Sequence, residues 1–425
     1  MLDLNFVLKN KDLVQENLEI RNVKIDLDQL EQLADRRVNL LKSVEDIRKH
    51  LNQMADDIKH LGTQEQKKAL IEKGQSLKQT LREQEKALAE VEKLLREELL
   101  KIPNLTHPNS PRGNTDEDNV EVKRVGEPQY FSFTPKNHLD LALALDIVDF
   151  EGGARTTGSK FYFLKNDGVA LQLALIQFAL EILSSEGFQL YSTPDLATLD
   201  IIEGIGFLPR GPESQIYRVE EENLGLIATA EITLGGLYAG QLINGKDLPL
   251  KLGGISHCFR REAGAYGKAS KGLYRVHQFT KVEMFVFCLP EDSDKMLDYL
   301  VDLEVRIFSG LGLPLRVVDC CSGELGGPAY RKFDLEVWLP CEGRWGEVTS
   351  ASNCTDYQAR RLNIKFKDGP ASKPQFVHTL NGTALADART IVAILENFQQ
   401  NDGSILVPKA LQKWLGKERL SPKIS

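Results

Sequence analysis

No proline precedes Pro103, and only two glycines, Gly62 and Gly74, lie before it. A stretch so poor in helix breakers reads as long helix. No uninterrupted apolar run approaches the roughly 18 residues of a membrane span, which argues against a membrane protein. The N-terminal MLDLNFVLKNKDL has neither a secretory apolar core nor an arginine-rich transit pattern. The six cysteines begin at Cys258 and form no CxxC pair, so free thiols are expected rather than a disulfide framework or a zinc site. Neither GxGxxG nor a Walker P-loop occurs, which excludes the two commonest nucleotide folds. An excess of positive charge is also missing: 53 basic against 61 acidic residues give −8, which excludes a uniformly basic nucleic-acid glove but not a local patch. The remainder is ordinary globular composition in 425 residues, enough for two to four domains.

What is present first is a heptad pattern. Leu30, Leu33, Arg37, Leu40, Val44, Ile47, Leu51, Met54, Ile58 and Leu61 follow a 3-4 alternation with one polar exception. After a short polar break, Leu70, Gly74, Leu77, Leu81, Gln84, Leu88, Val91 and Leu95 form a weaker second seam. Two seams joined by a short break predict an antiparallel helical hairpin. Its first helix would be on the order of 48 Å long and would have to project. Between Ile47 and Leu81 the charge leans positive, through Lys59, Lys67, Lys68 and others, as a phosphate-backbone contact requires. Charges that merely pair between the helices would give the same composition.

Residues 103–128 are rich in Pro, Asn, Asp and Gly and read as a linker. Beyond them strand-like stretches (161–164, 274–279, 282–287, 332–339, 347–353) mix with helical ones (169–183, 294–311). That mixture predicts an α+β domain on a mainly antiparallel sheet. Three segments carry chemistry. FRREAG (259–264), a glycine-bearing loop with Gly264, Gly267 and Gly272, and a return strand through Arg275 and Phe279 form an expected hairpin with an arginine on each strand. Paired guanidiniums suit a polyphosphate, and Phe279 offers a stacking face for a base. WGEVTSASN places Glu347 and Ser350 three apart, a reasonable hard-donor pair for Mg²⁺. HTLNGTALADART reads as a Gly-Thr turn leading into a helix with Arg389 in its first turns, where an anion is favoured. Each segment alone also fits a bland reading: a solvated hairpin, an isolated Glu/Ser pair, a capped amphipathic helix.

In this order the three segments resemble motif 2, the strand before motif 3, and motif 3 of the class II aminoacyl-tRNA synthetases. With the N-terminal hairpin, the triplet Thr229-Ala230-Glu231 and HTLNGT, the whole chain resembles the seryl-tRNA synthetase family, in some details its organellar members. The resemblance implies an N-terminal tRNA-binding domain over 1–102 with a coiled-coil arm at about 28–100, and a catalytic domain over 129–425. Motif 1 would fall at about 169–194, motif 2 at about 256–285 and motif 3 at about 378–403. It implies ATP and L-serine as substrates, Mg²⁺ as cofactor, and tRNA(Ser), with tRNA(Sec) as a second candidate, held through Lys59, Lys67 and Lys68 on the arm. A homodimer formed through motif 1 is implied as well.

Residue by residue, Arg260 would contact the α-phosphate and the amino-acid carboxylate. Glu262 would read the adenine amino group, Phe279 would stack on the base, and Arg275 and Arg389 would hold the β- and γ-phosphates, the three arginines being the catalytic set. Arg261, Val276, Val348 and Thr349 would complete the ATP site, with Glu347 and Ser350 on the metal. Thr229, Ala230 and Glu231 would receive the α-amino group, and Glu283, Asn381 and Thr383 the serine hydroxyl. Three departures stand out: Thr233 where the family often has proline, a motif 2 loop (AYGKASKGL) without its usual acid, and Asp387 at a usually small or apolar position, where an acid could weaken the phosphate contact of Arg389. An impaired, tRNA-binding relative is the alternative expectation; it should have lost Arg260, Glu347 or Arg389, and all three are present. An organellar matrix or the cytoplasm is the expected compartment.

Overall fold

A computed structural model describes residues 1–60, 63–207, 214–262, 272–369 and 371–422. The seam position Leu61, Gly62, and the loop glycines Gly264 and Gly267 therefore lie outside the described residues, as does most of the motif 2 loop. The chain forms two compact units, 1–103 and 104–425.

The first unit is helical: α1 (Leu4–Lys9), α2 (Lys11–Ile20), α3 (Leu27–His60) and α4 (Gln64–Lys101). Asp26 starts α3 by accepting the backbone N–H groups of Asp28 and Gln29 at 2.9 and 3.0 Å. The two long helices pack along the predicted seams, with Leu30, Val44, Val91 and Leu95 buried. Arg37, the polar exception, pairs with Glu92 at 2.9 Å, and Arg48 pairs with Glu85 at 2.7 Å. Low numbers on α3 meet high numbers on α4, which makes the pair antiparallel. Gly74 faces Met54, and a methyl group built there would stand 3.9 Å from the Met54 terminal carbon, an ordinary contact. Gly74→Ala should therefore stabilise the arm by about 0.5–1 kcal/mol, read as slower amide exchange across residues 70–78.

The second unit is built on an eight-stranded sheet. Its strands are β1 (Val120–Val125), β2 (Gln189–Ser192), β3 (Leu250–Phe259), β4 (Gln278–Cys288), β5 (Leu315–Asp319), β6 (Arg331–Leu339), β7 (Arg344–Asn353) and β8 (His378–Ala386). Their order is β1-β5-β6-β7-β8-β4-β3-β2, antiparallel throughout except β2 with β3. The stretch read as a linker is thus corrected: β1 lies within it and forms a sheet edge against β5, and Asn104 is buried, its amide donating to the carbonyls of Pro328 and Cys354 at 2.9 Å. Only a 3.3 Å-per-residue edge strand is needed there, and short polar edges carry little apolar signal.

Three helices pack on one face of the sheet: α5 (Asp167–Ser185), α6 (Ser293–Gly310) and α7 (Asp387–Asn397). By length and composition alone α5 is long and apolar enough to cross a membrane, although Gln172, Gln177 and Glu181 interrupt its apolar run. Its Leu171, Ala174, Leu175, Phe178, Ala179 and Leu183 are buried in the core instead.

Strand β4 shows how the sheet divides its faces. Val282, Met284, Val286 and Cys288 belong to the helix-covered core, whereas Phe285 and Phe287 belong to a second core. The period of two therefore puts Phe279, Lys281 and Glu283 on the face opposite α5–α7.

The candidate active site

That face carries a cavity of about 150 Å³. Thr229, Glu231, Arg260, Glu262, Arg275, Val276, Phe279, Glu283, the run Glu347–Ser350, Asn381, Thr383 and Arg389 all line it. Two of the residues expected there do not. Ala230 is buried as the N-cap of the helix Glu231–Gly236. Arg261 is exposed, its backbone N–H donating to the Gln215 carbonyl at 3.0 Å.

At one end, Arg260 directly follows the outgoing strand β3, with its guanidinium 5.2 Å from the centre of the Phe279 ring. Arg275 donates to Glu262 at 2.6 Å, so the return arm of the hairpin is tied to the outgoing one. Arg389 donates to the Glu347 carbonyl at 3.1 Å and stands at the same distance from its carboxylate. Burial would raise the Glu347 carboxyl, but Arg389, Lys332 and Arg260 outweigh it and hold the group below the usual range.

Glu347 and Ser350 should point to opposite faces of a regular strand, being an odd number apart. The pairing of β6 with β7 shifts between Glu336↔Glu347 and Leu335↔Thr349, which makes Val348 the extra residue of a bulge. The bulge returns Glu347 and Ser350 to the same, cavity-facing side. An anionic carboxylate and a hydroxyl together form a donor set that fits Mg²⁺, which takes few protein ligands. Among the described residues no group of three His, Cys, Asp or Glu side chains is placed to hold a metal ion.

At the other end, acids cluster. The Glu231 carboxylate accepts from Gln358 at 2.7 Å and Asn381 at 2.9 Å. Burial, reinforced by the charge of Glu283, pushes Glu231 up to about 7. Glu283 is 1% exposed and ion-paired with Lys281, and it accepts the Thr383 hydroxyl at 3.3 Å. Burial raises its pKa while Lys281 draws it back down. The backbone N–H of Glu231 donates to Thr229 Oγ1 at 3.2 Å.

Two sequence expectations need correction here. HTLNGT is no turn: β8 runs unbroken from His378 to Ala386 with Gly382 and Thr383 inside it. The glycine supplies space instead, since a methyl group there would come within 3.1 Å of Met284 and 3.3 Å of Glu304. Nor does Asp387 contend for Arg389. Its oxygens accept from Thr280, Ala388 and Gln172, while Arg389 turns to Tyr274 and Glu347. Thr233, the other departure, donates its hydroxyl to the Ala230 carbonyl at 3.0 Å.

Sequence reasoning missed several lining or supporting residues. Lys281 and Tyr274 line the cavity, with Tyr274 set between Arg344 and Arg389 at 5.2 and 5.0 Å. Glu304 on α6 is fully buried and accepts the Thr349 hydroxyl at 2.9 Å; burial pushes it well above the carboxylate range. A signal for it existed, because Glu304 falls in phase with the buried Leu297, Leu300, Leu303, Ile307 and Phe308. On the first unit, Lys59 pairs with Asp56 at 2.6 Å near the end of α3, and Lys67 and Lys68 lie in the first turns of α4.

Residues 1–106 match the family described as the seryl-tRNA synthetase N-terminal domain, and residues 217–398 match the tRNA synthetase class II core domain (G, H, P, S and T). The serine–tRNA ligase of Dictyoglomus turgidum is 52% identical over 427 aligned residues, covering 100% of both chains. That of Treponema denticola is 51% identical over 99% of this chain and 100% of its own. These relatives are bacterial and lend no support to the organellar lean. Among solved structures, seryl-tRNA synthetase from Pyrococcus horikoshii complexed with ATP superposes with a TM-score of 0.91 at 39% identity, covering 100% of each chain. The cytoplasmic serine–tRNA ligase of Naegleria fowleri, in complex with AMP, gives 0.85 at 29% identity over 100% of this chain and 99% of its own. With Arg260, Glu347 and Arg389 all facing the cavity, an impaired relative is not favoured. Full-length identity, the two family matches and the antiparallel catalytic fold agree: the chain belongs to the seryl-tRNA synthetases, the serine–tRNA ligases.

Proposed function

We propose that the cavity activates L-serine with ATP, its acidic end taking the amino acid and its arginine end the triphosphate. The observation that carries this reading is that one cavity holds both sets of groups: Glu231 and Glu283 hydrogen-bonded to Asn381 and Thr383, and Arg275 and Arg389 each paired with a carboxylate, Glu262 and Glu347, together with Arg260. The serine carboxylate attacks the α-phosphorus as the bond to the β-phosphate oxygen breaks, giving seryl-adenylate and pyrophosphate with no proton transferred. Catalysis is then mostly orientation and charge neutralisation. Arg260 would hold the carboxylate and α-phosphate together, Phe279 would carry the adenine and Glu262 would read its amino group. Glu347 and Ser350 would hold Mg²⁺, which supplies further neutralisation of the triphosphate. In the second half, the 3′-terminal ribose hydroxyl of tRNA(Ser) attacks the seryl carbonyl, the acyl–phosphate bond breaks, and the hydroxyl proton leaves with the departing AMP phosphate. We further infer that the arm, with Lys59, Lys67 and Lys68, contacts that tRNA, and that tRNA(Sec) is a candidate for the same contact. A homodimer through α5 and a cytoplasmic place of work complete the reading; Leu173 on α5 is 56% exposed in the single chain, as an unpaired interface residue would be.

The serine end makes a pH prediction. Burial and the nearby Glu283 raise Glu231 to about 7. A raised carboxyl is neutral below that pH and anionic above it, and a serine ammonium pairs with the anion. The KM for serine should therefore rise as pH falls below about 7, approaching tenfold per pH unit, while kcat changes little. Glu231→Gln should raise KM and flatten its pH dependence. A KM for serine that is level from pH 8 to 5.5 in the unaltered protein would contradict the assignment.

A further inference from the structure

A buried polar cluster outside the cavity joins α5 to β4 and α7, the last two of which contribute residues to the cavity. Asp387 opens α7 and is fully buried. One of its carboxylate oxygens accepts the backbone N–H of Thr280 at 3.0 Å and that of Ala388 at 2.5 Å. The other accepts the side-chain amide of Gln172, on α5, at 2.5 Å, and that amide also reaches Thr280 Oγ1 at 3.2 Å. The cluster thus ties α5, β4 and α7 together.

Its place in the sheet gives it a task. Pairing of β8 with β4 ends at Ala386↔Lys281, so no β8 backbone carbonyl is paired with Thr280. The Asp387 carboxylate takes that acceptor position, extending the ladder one rung past the end of the strand. Thr280 stands between Phe279 and Lys281, which line the cavity, and Arg389 follows Asp387 by two residues at the start of the same helix. An apolar side chain at 387 would leave a buried N–H of Thr280 without its acceptor, a cost that local movement of β4 or α7 would relieve.

We propose that Asp387, with Gln172 and Thr280, is a positioning clasp that fixes the Phe279 ring and the Arg389 guanidinium at the separation ATP requires. This rests on the reading that the base lies at Phe279 and the terminal phosphates at Arg389. The acid at this position is therefore a support for the phosphate-binding arginine. Gln172 acts through the carboxylate, so its removal should have the same direction and a smaller size.

The test measures ATP affinity by calorimetry, and KM for ATP and for serine in pyrophosphate exchange, on the full chain with Asp387→Ala, Asp387→Asn and Gln172→Leu. Asp387→Ala should weaken ATP about tenfold to a hundredfold and leave KM for serine nearly unchanged, because a small misplacement of a positioned group costs that much. Asp387→Asn keeps one oxygen for the Thr280 N–H and should recover most of the loss. A folded Asp387→Ala protein with unaltered ATP affinity would overturn the proposal, as would ATP and serine affinities falling in parallel. Should Asp387→Ala not fold, the same split in Gln172→Leu decides. Because ATP binding is read directly, an unaltered protein that binds ATP without serine-dependent exchange would count against the activation reading and leave the clasp to be judged on the ATP affinities.

Discussion

Replacing Arg260 by alanine should lower kcat/KM for serine-dependent pyrophosphate exchange by about a thousandfold or more, with the fold intact. Arg260 is half-buried, and among the described residues its side chain makes one weak hydrogen bond, from Nε to the Ala228 carbonyl at 3.4 Å. Its guanidinium is held mainly by the Phe279 ring. It is therefore poised for ligands more than for structure. In the proposed reaction it faces two anions that must approach each other, the serine carboxylate and the α-phosphate, and it remains bound as charge builds between them. Loss of one such preorganised donor costs on the order of 100- to 1,000-fold, and here one residue serves both reactants. Arg260→Lys should fall between, since a point charge replaces a planar fork that can bind both groups at once. Equal exchange rates for Arg260→Ala and the unaltered protein would remove the arginine from the chemistry.

The second large effect is on stability. Glu283→Ala should destabilise the catalytic unit by about 3–5 kcal/mol, because it leaves the Lys281 ammonium buried without its carboxylate. Both side chains are nearly inaccessible, Glu283 at 1% and Lys281 at 6%. The double replacement Glu283→Leu with Lys281→Met should recover much of that stability, since well-packed apolar residues often replace a buried pair at no net cost. It should not recover serine activation, because the proposed acceptor of the serine hydroxyl is gone; a loss of at least about a hundredfold is expected. Chemical denaturation and pyrophosphate exchange on the three proteins separate the two roles. Serine-dependent exchange in the double variant at the unaltered rate would show that Glu283 serves only the fold.

Local patterns made the hairpin legible. A heptad seam needs only neighbours three and four residues away, and it located α3 and α4; the partner of its odd residue, Arg37, came only with the structure. The cavity residues were legible through family motifs, which compress long-range geometry into short strings. What escaped was geometry set by distant partners. The bulge at Val348 arises from register with β6, and nothing within WGEVTSASN announces it. HTLNGT looks like a turn because glycine permits one, yet Gly382 sits inside a strand where a side chain would press on Met284 and Glu304. Strand β1 was read as linker because its burial is slight and its stabilising contacts come from β5, some 190 residues on. Asp387 was read as a liability to Arg389 because the sequence shows two residues between which a helix turns, and not the N–H of Thr280 waiting for an acceptor.

The most direct measurement is ATP–pyrophosphate exchange with Mg²⁺ and serine, alanine or threonine in turn. Exchange should be robust with serine, nearly absent with alanine, which leaves the hydroxyl acceptors unpaired, and weak with threonine. Folded protein that binds ATP yet exchanges no faster with serine than with alanine would contradict the assignment of the acidic end of this cavity to serine.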